Sequence, residues 1–318
     1  MKHGTKIEWT QIPGFKGETL NPMTGCSHVS EGCRNCYAER EWIRLSKNPK
    51  SVYFNREFTD VQVHQERFEK PFSWKTPRSI FVNSMSDMFH ESISFDDIRE
   101  FHNVMADCPH HIFIVLTKRP ESAARFYEEF YSKVLYDSFF PAETLDPEKS
   151  LLENGNEFFK NFHGKPWPLK NFWLGVSIED QRTAINRVEP LLKLPAGKRI
   201  VSYEPALERV DLRPWMGCGL CYAWPPTKRS SNPLAMPLCG SCALDVDGPV
   251  LQSNKRIDWV IAGGESGPAS KRRPMALSWA RWIRDQCAES HVPFFMKQIN
   301  KVDPIPEDLL VRQFPPLE

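Results

Sequence analysis

Short apolar runs recur along the chain, and most end in small, polar or charged residues. They are Ile7–Thr10, Ser79–Met85, Ile112–Thr117, Phe172–Ile178, Arg199–Tyr203, Asp258–Ala262 and Pro293–Met296. Ile, Val and Phe dominate several of them, as in strands buried on both faces of a parallel sheet. Stretches with helical spacing lie between them. Ser94 can cap a helix, with Asp96 and Asp97 in its first turn where they suit the helix dipole. Phe95, Ile98, Phe101, Met105 and Cys108 then fall on one helical face. Pro120–Phe130 follows the third run with Pro in a first turn. Asp180–Leu192 follows the fourth run and Leu277–Glu289 the sixth. Strands alternating with helices imply right-handed crossovers and a parallel sheet, hence an α/β fold.

Two architectures fit this alternation: an open doubly wound sheet, and a full or partial TIM-like (β/α) barrel of six or seven parallel strands. The residues that end the runs favour the barrel. They are Asn83-Ser84-Met85-Ser86-Asp87, Thr117-Lys118-Arg119, Ser177-Ile178-Glu179, Tyr203-Glu204, Gly263-Gly264-Glu265-Ser266 and Lys297-Gln298. In a barrel such ends converge on the face where chemistry is done. In a doubly wound sheet, those far from the switch point would be scattered. Any one of these ends could be a helix cap or loop starter. Six together point to a shared face.

Two stretches break the rhythm. Phe139–Lys170 reads as an irregular insertion, and Arg213–Arg256 as an inserted subdomain. The expected organisation is a barrel from 1–212 and 257–318 with a zinc ribbon at 213–256. The ribbon rests on Cys218, Cys221, Cys239 and Cys242, two CxxC pairs separated by 17 residues. Two knuckles of this spacing make a closed tetrahedral zinc site, and the metal supplies folding energy that a polar, Pro-rich segment lacks. A redox dithiol or a rubredoxin-like iron site is the alternative.

Composition narrows the class. Hydrophobic residues are 41% and charged residues 25% of 318, and the net charge is +1. The pattern is that of a soluble globular protein without a global basic field, so any nucleic-acid surface is local. No apolar run has signal-peptide or membrane-span length, which places the chain in the cytoplasm with no membrane partner. Nine cysteines in a reducing compartment suggest metal rather than disulfides.

Three of them, Cys26, Cys33 and Cys36, share one loop without an obvious fourth. A structural zinc takes four ligands. A 4Fe–4S cluster can take three thiolates and leave one iron for a substrate or cofactor. His28 keeps a Cys3His zinc site open as the alternative.

The phrases TGCSHVSEGCRNCYAE, FVNSMSDMFHE, FIVLTKRPE, FWLGVSIEDQ, SYEPAL, DWVIAGGESGP and VPFFMKQ resemble a phage-associated family of three-Cys-motif proteins. That family is placed among radical S-adenosylmethionine (SAM) enzymes, near the spore photoproduct lyases. The resemblance runs from about Thr5 to Gln298 and implies a partial barrel, a 4Fe–4S cluster and SAM. The common signature is CxxxCxxC. Here the first gap is six residues, and Asn35 stands where an aromatic often precedes the last cysteine, with Tyr37 just after it as a candidate to stack on adenine.

The resemblance further implies roles for the strand ends. Ser84, Ser86 and Asp87 are candidates for the amino or carboxylate end of SAM, and Ser177 and Glu179 for its ribose. Gly263, Gly264 and Glu265 are similar to a Gly-Gly-Glu segment of the family and would line the adenosine site or the substrate. Glu204 joins them as a cofactor contact. Lys118, Arg119, Lys271, Arg272 and Arg273 are candidate phosphate contacts, or else solvated charges. The expected function is a radical SAM enzyme that modifies or repairs a nucleic-acid base, reduced by a donor such as flavodoxin or ferredoxin. Two rivals stand beside it: the same chemistry on a small metabolite or peptide, and a non-enzymatic zinc-dependent nucleic-acid-binding or adaptor protein.

Overall fold

The structure is a computed structural model that describes residues 4–137, 149–158, 161–162, 164–217 and 255–317. Cys218, Cys221, Cys239 and Cys242, and with them the zinc-ribbon expectation, lie outside the described residues.

Seven strands form one parallel sheet: β1 (Lys16–Leu20), β2 (Arg78–Val82), β3 (Ile112–Thr117), β4 (Phe172–Ile178), β5 (Lys198–Tyr203), β6 (Trp259–Gly263) and β7 (Phe294–Gln298). Their spatial order is their chain order, with no reversal. A doubly wound sheet turns back at a switch point; a barrel does not. Because β1 and β7 remain edges, the α/β fold is a partial TIM-like barrel.

The first strand corrects the sequence reading. Residues Glu8–Thr10 form a 3-10 turn, not a strand. The strand is Lys16–Leu20, whose sequence KGETL has no apolar run. An edge strand needs less continuous apolar surface than a central one, so hydrophobicity alone did not reveal it. The insertion Phe139–Lys170, expected to be irregular, contains a helix at Leu151–Phe158 and a short hairpin pairing Asn161–Phe162 with Lys165–Pro166.

Five main helices follow the expected pattern: α1 (Tyr37–Leu45), α2 (Phe95–Asp107), α3 (Pro120–Asp137), α4 (Gln181–Lys193) and α5 (Leu277–Glu289). Ser94 Oγ caps α2 by accepting from the Asp97 amide at 3.1 Å, and Ile98, Phe101 and Met105 are buried along one face. Asp180 Oδ1 accepts from the Thr183 amide at 2.7 Å and fixes the start of α4.

Two compact units divide the chain. The first comprises Met1–Ser177 with Lys193–Lys198, and the second Ile178–Leu192 with Arg199–Glu318. In the first, Ile80, Val82, Phe113, Ile114, Val115 and Leu174 are fully enclosed. Leu20 pairs with Val82, so β1 and β2 end level and their loops emerge together. In the second, Trp259, Val260 and Ala262 are enclosed on β6, with Ile283 and Cys287 of α5 in the same core class.

Each edge strand meets a glutamine. Gln11 Oε1 accepts from the Gly17 amide of β1 at 3.3 Å, while its Nε2 donates to the Thr5 carbonyl at 2.9 Å. Gln313 Oε1 accepts from the Phe294 amide of β7 at 3.1 Å.

Candidate active site

The loop after β1 carries Cys26, Cys33 and Cys36, and the ends of β2 and β3 hold it. Asn83 Oδ1 accepts from the Met23 amide at 3.2 Å. The Gly25 amide donates to the Met85 carbonyl at 3.1 Å, and the Cys26 amide to Phe58 at 2.9 Å. Ser84 Oγ donates to Asn21 Oδ1 at 3.1 Å and Ser86 Oγ to the Met23 carbonyl at 2.9 Å. Two of the serines expected to hold SAM therefore have hydroxyls tied to this loop. Gly25 sits at φ +94°, and a Cβ there would strike the backbone of Asp60. Only glycine fits this turn without strain.

All three cysteines are free thiols, Cys33 buried and the others half-buried. Cys26 and Cys36 pack on one apolar cluster that includes Trp42, Tyr53 and Phe58. Burial, then the Asp87 charge, pushes the Cys26 thiol up to about 12, with Arg119 pulling the other way. Burial likewise raises Cys36, partly offset by the first amides of α1 at Ala38 and Glu39 and by the Lys118 charge. Cys36 also feels Cys33, and Cys26 feels Cys36. The three thiols thus share one electrostatic neighbourhood. Among the described residues, no group of three or more His, Cys, Asp or Glu side chains converges on a point that could hold a metal ion. His28 Nε2 meets Glu39 Oε2 at 2.9 Å.

Arg119 is the centre of the arrangement. Its Nη1 donates to Cys26 Sγ at 3.6 Å and to Asp87 Oδ2 at 3.4 Å. Its Nη2 reaches Ser27 Oγ at 2.8 Å, and its Nε meets both oxygens of Glu91 at 3.1 Å. The side chain is 4% exposed. The sequence suggested a phosphate contact; the structure encloses the guanidinium against the cysteine loop instead. Local sequence could not show this, because the enclosing loop lies some ninety residues upstream.

Asp87 is similarly committed. Oδ1 accepts from Thr117 Oγ1 at 2.7 Å and the Phe89 amide at 3.1 Å. Oδ2 accepts from the Lys118 amide at 2.9 Å and from Arg119. Four donors occupy the carboxylate, and through one of them Asp87 positions Arg119.

The sequence reading missed Ser27, His90 and Glu91. His90 Nδ1 accepts from the Ser92 amide at 3.1 Å, and Nε2 meets Ser27 Oγ at 2.9 Å. Burial, then the Arg119 charge, lowers the His90 pKa, so the ring is neutral at pH 7. With Nδ1 accepting, the proton sits on Nε2 and is donated to Ser27 Oγ. Ser27 thereby accepts from both His90 and Arg119, which leaves its own hydroxyl hydrogen for a ligand. The signal was present in the sequence as three titratable residues within five, Asp87 to Glu91, directly after a strand. His90 and Glu91 also line a cleft of about 600 Å³ with Phe89, Phe95 and Arg125.

In the second unit, Glu204 receives Lys297 Nζ at 2.7 Å on both oxygens and Gln298 Nε2 at 3.2 Å. A Cβ on Gly263 would meet Glu204 Oε1 at 3.4 Å, and one on Gly264 would strike the Ile299 carbonyl. Glu265 holds Arg273 through Nη2 at 2.5 Å, so Arg273 is drawn back onto its own loop, while Lys271 remains exposed and Arg272 half-buried. Glu179 is buried, with both oxygens facing Arg187 Nη1 at 3.0 and 3.1 Å. Through this pair the carboxylate braces α4. Ser177 is half-buried at the end of β4, in the first unit.

No helix among the described residues is long and apolar enough to cross a membrane. No curated protein and no solved structure matches the chain. One family model does match, over residues 4–306, and its description is "Protein of unknown function (DUF5131)". The chain belongs to that family.

Proposed function

We propose that the chain is a cytoplasmic radical SAM enzyme that modifies or repairs a nucleic-acid base. Cys26, Cys33 and Cys36 would hold a 4Fe–4S cluster, and Cys218, Cys221, Cys239 and Cys242 a structural zinc. The observation that carries the reading is the pairing of a three-thiol loop after β1 with two cations, Lys118 and Arg119, at the end of β3 in the same parallel sheet. Three thiols without a fourth suit a cluster with one open iron better than a closed zinc site. The likeness of the loop and strand-end phrases to radical SAM proteins near the spore photoproduct lyases supports the same choice and supplies the substrate class. When bound and reduced by a flavodoxin- or ferredoxin-type donor, the cluster supplies one electron that splits SAM into methionine and a 5′-deoxyadenosyl radical.

The residues of the chain do the rest. Arg119 donates to the Cys26 sulfur, and a hydrogen bond to a ligand sulfur is one of the means by which a protein tunes cluster potential. Asp87 fixes the guanidinium in place. Lys118 favours the thiolate of Cys36. Ser27 offers one hydroxyl hydrogen beside the loop. Its partner His90 stays neutral and adds no charge.

Anaerobic reconstitution tests the reading. The wild type should take up about four irons and four sulfides and yield 5′-deoxyadenosine on reduction with SAM present. Ala at any one of Cys26, Cys33 or Cys36 should abolish the product while leaving one zinc per chain in the ribbon. A wild type that holds a second zinc and never cleaves SAM sinks the proposal.

A further inference from the structure

A second pocket, of about 490 Å³, lies beside the end of β1, and its wall is rich in cations. Arg67, Lys70 and Arg78 line it against one carboxylate, Glu18. Glu18 Oε2 accepts from Arg78 Nη1 at 2.6 Å, which balances one charge. Arg67 Nη1 donates at 2.6 Å to the Asn21 carbonyl, a neutral partner. Glu66 stands 3.7 Å from Arg67 Nε but is 67% exposed, so water screens it heavily. The Lys70 ammonium makes no ion pair or hydrogen bond among the described residues. A guanidinium carries five N–H donors. Arg67 uses one, and Arg78 Nε is buried with no hydrogen-bond partner among the described residues. The pocket therefore has surplus positive charge and unmatched donors. His64 nearby registers the field: burial first, then Arg67, lowers its pKa, with Glu66 opposing and Arg56 and Lys70 adding to the fall.

The remaining wall holds two aromatic side chains beside Thr19, Leu20 and Asn21. The half-buried indole of Trp74 lies under the Arg78 guanidinium at 4.6 Å. Tyr53 also faces the pocket and belongs to the apolar cluster on which Cys26 and Cys36 pack. Asn21 lines the pocket while its Oδ1 accepts from Ser84 and Met85 at the end of β2. The pocket and the three-thiol loop thus share walls. Clustered guanidinium and ammonium donors suit phosphate oxygens, and a half-buried indole at the pocket wall suits a nucleobase.

We propose that this pocket binds the phosphate and base of a nucleotide, with Arg67, Lys70 and Arg78 on the phosphate and Trp74 against the base. The proposal gives the substrate class of the preceding section a location and rests on that reading, though binding itself requires no cluster. Free nucleotide and single-stranded nucleic acid share this chemistry, and the test separates them.

Cluster-free protein is titrated against a fluorescein-labelled oligothymidylate by anisotropy at several salt concentrations. Lys70→Ala, at an exposed position that leaves folding intact, should weaken binding about fivefold and lower the slope of log affinity against log salt by about one. Trp74→Leu should weaken binding without changing that slope. Full displacement of the probe by equimolar dTMP marks a free nucleotide as the ligand; poor displacement marks the strand, and either result keeps the pocket. Absence of wild-type binding, or binding unchanged in both variants, overturns it. Loss on replacing Lys271 and Arg272 by Ala, with none on Lys70→Ala, moves the contact to the loop after β6 and overturns it equally. The 5′-deoxyadenosine yield of reconstituted wild type is read separately, so the radical chemistry and the pocket can fail independently.

Discussion

The protonation of Cys26 illustrates how burial and charge compete at a single sulfur. Burial and Asp87 favour the neutral thiol more than Arg119 favours the thiolate, and the pKa reaches about 12 against an ordinary 9.0. A group whose folded pKa is raised contributes stability below its unfolded value and loses that contribution as pH rises through the folded one. The cluster-free protein should therefore be firmer below pH 9 and weaken as pH climbs toward 12. Alkylation of Cys26 by iodoacetamide, followed by peptide mass spectrometry, should accelerate steadily with pH and show no plateau below about pH 10. A plateau near pH 8 would mean that Arg119 dominates after all. The same shift means that a metal must displace protons to bind, so iron uptake should rise with pH.

At the scale of elements, the cysteine loop depends on one backbone turn. Gly25→Ala places a methyl group into the Asp60 backbone at a positive φ and should destabilise the fold by about 2 kcal/mol, measured by urea denaturation. The cysteines are unchanged in this variant, so a matching fall in iron uptake would report their placement alone. Unaltered stability would show that the loop relaxes freely. Much of this element is legible in the sequence: the cysteine spacing, the capped α2, and the apolar strands β2 to β7, whose ends fall within three residues of the apolar runs. What escaped was set by tertiary contact. KGETL becomes a strand because β2 offers it hydrogen bonds, and no local apolar pattern marks it. The resemblance assigns Asp87 and Glu179 to SAM from their places at strand ends. That Arg119 and Arg187 lie beside them is set by tertiary contact, which local sequence does not display. His90 is marked only by its closeness to Asp87 and Glu91, and its pairing with Ser27, 63 residues away, is a tertiary contact.

For the molecule as a whole, the strand order decides between the two architectures that alternation left open. Chain order without reversal is barrel-like winding, and stopping at seven strands leaves two edges. An uncovered parallel edge is a row of unpaired amides that a second chain can extend. Here each edge is met in part by backbone, Thr5 on the Gly17 carbonyl of β1 and Val311–Gln313 along β7, and in part by a side-chain amide. Gln11 occupies the Gly17 amide on β1, and Gln313 occupies the Phe294 amide on β7. A glutamine can satisfy one backbone group but cannot propagate a ladder, so it ends the sheet where a further strand would continue it. Gln11→Ala should then cost little in unfolding free energy, about 1 kcal/mol, and yet raise self-association sharply. Light scattering after size exclusion should show oligomers growing with concentration in the variant and not in the wild type, with thioflavin binding if the new contacts are strand to strand. In that sense this edge is closed by one side-chain amide and the Thr5 backbone that it holds against Gly17, a contact whose task is to refuse a further strand.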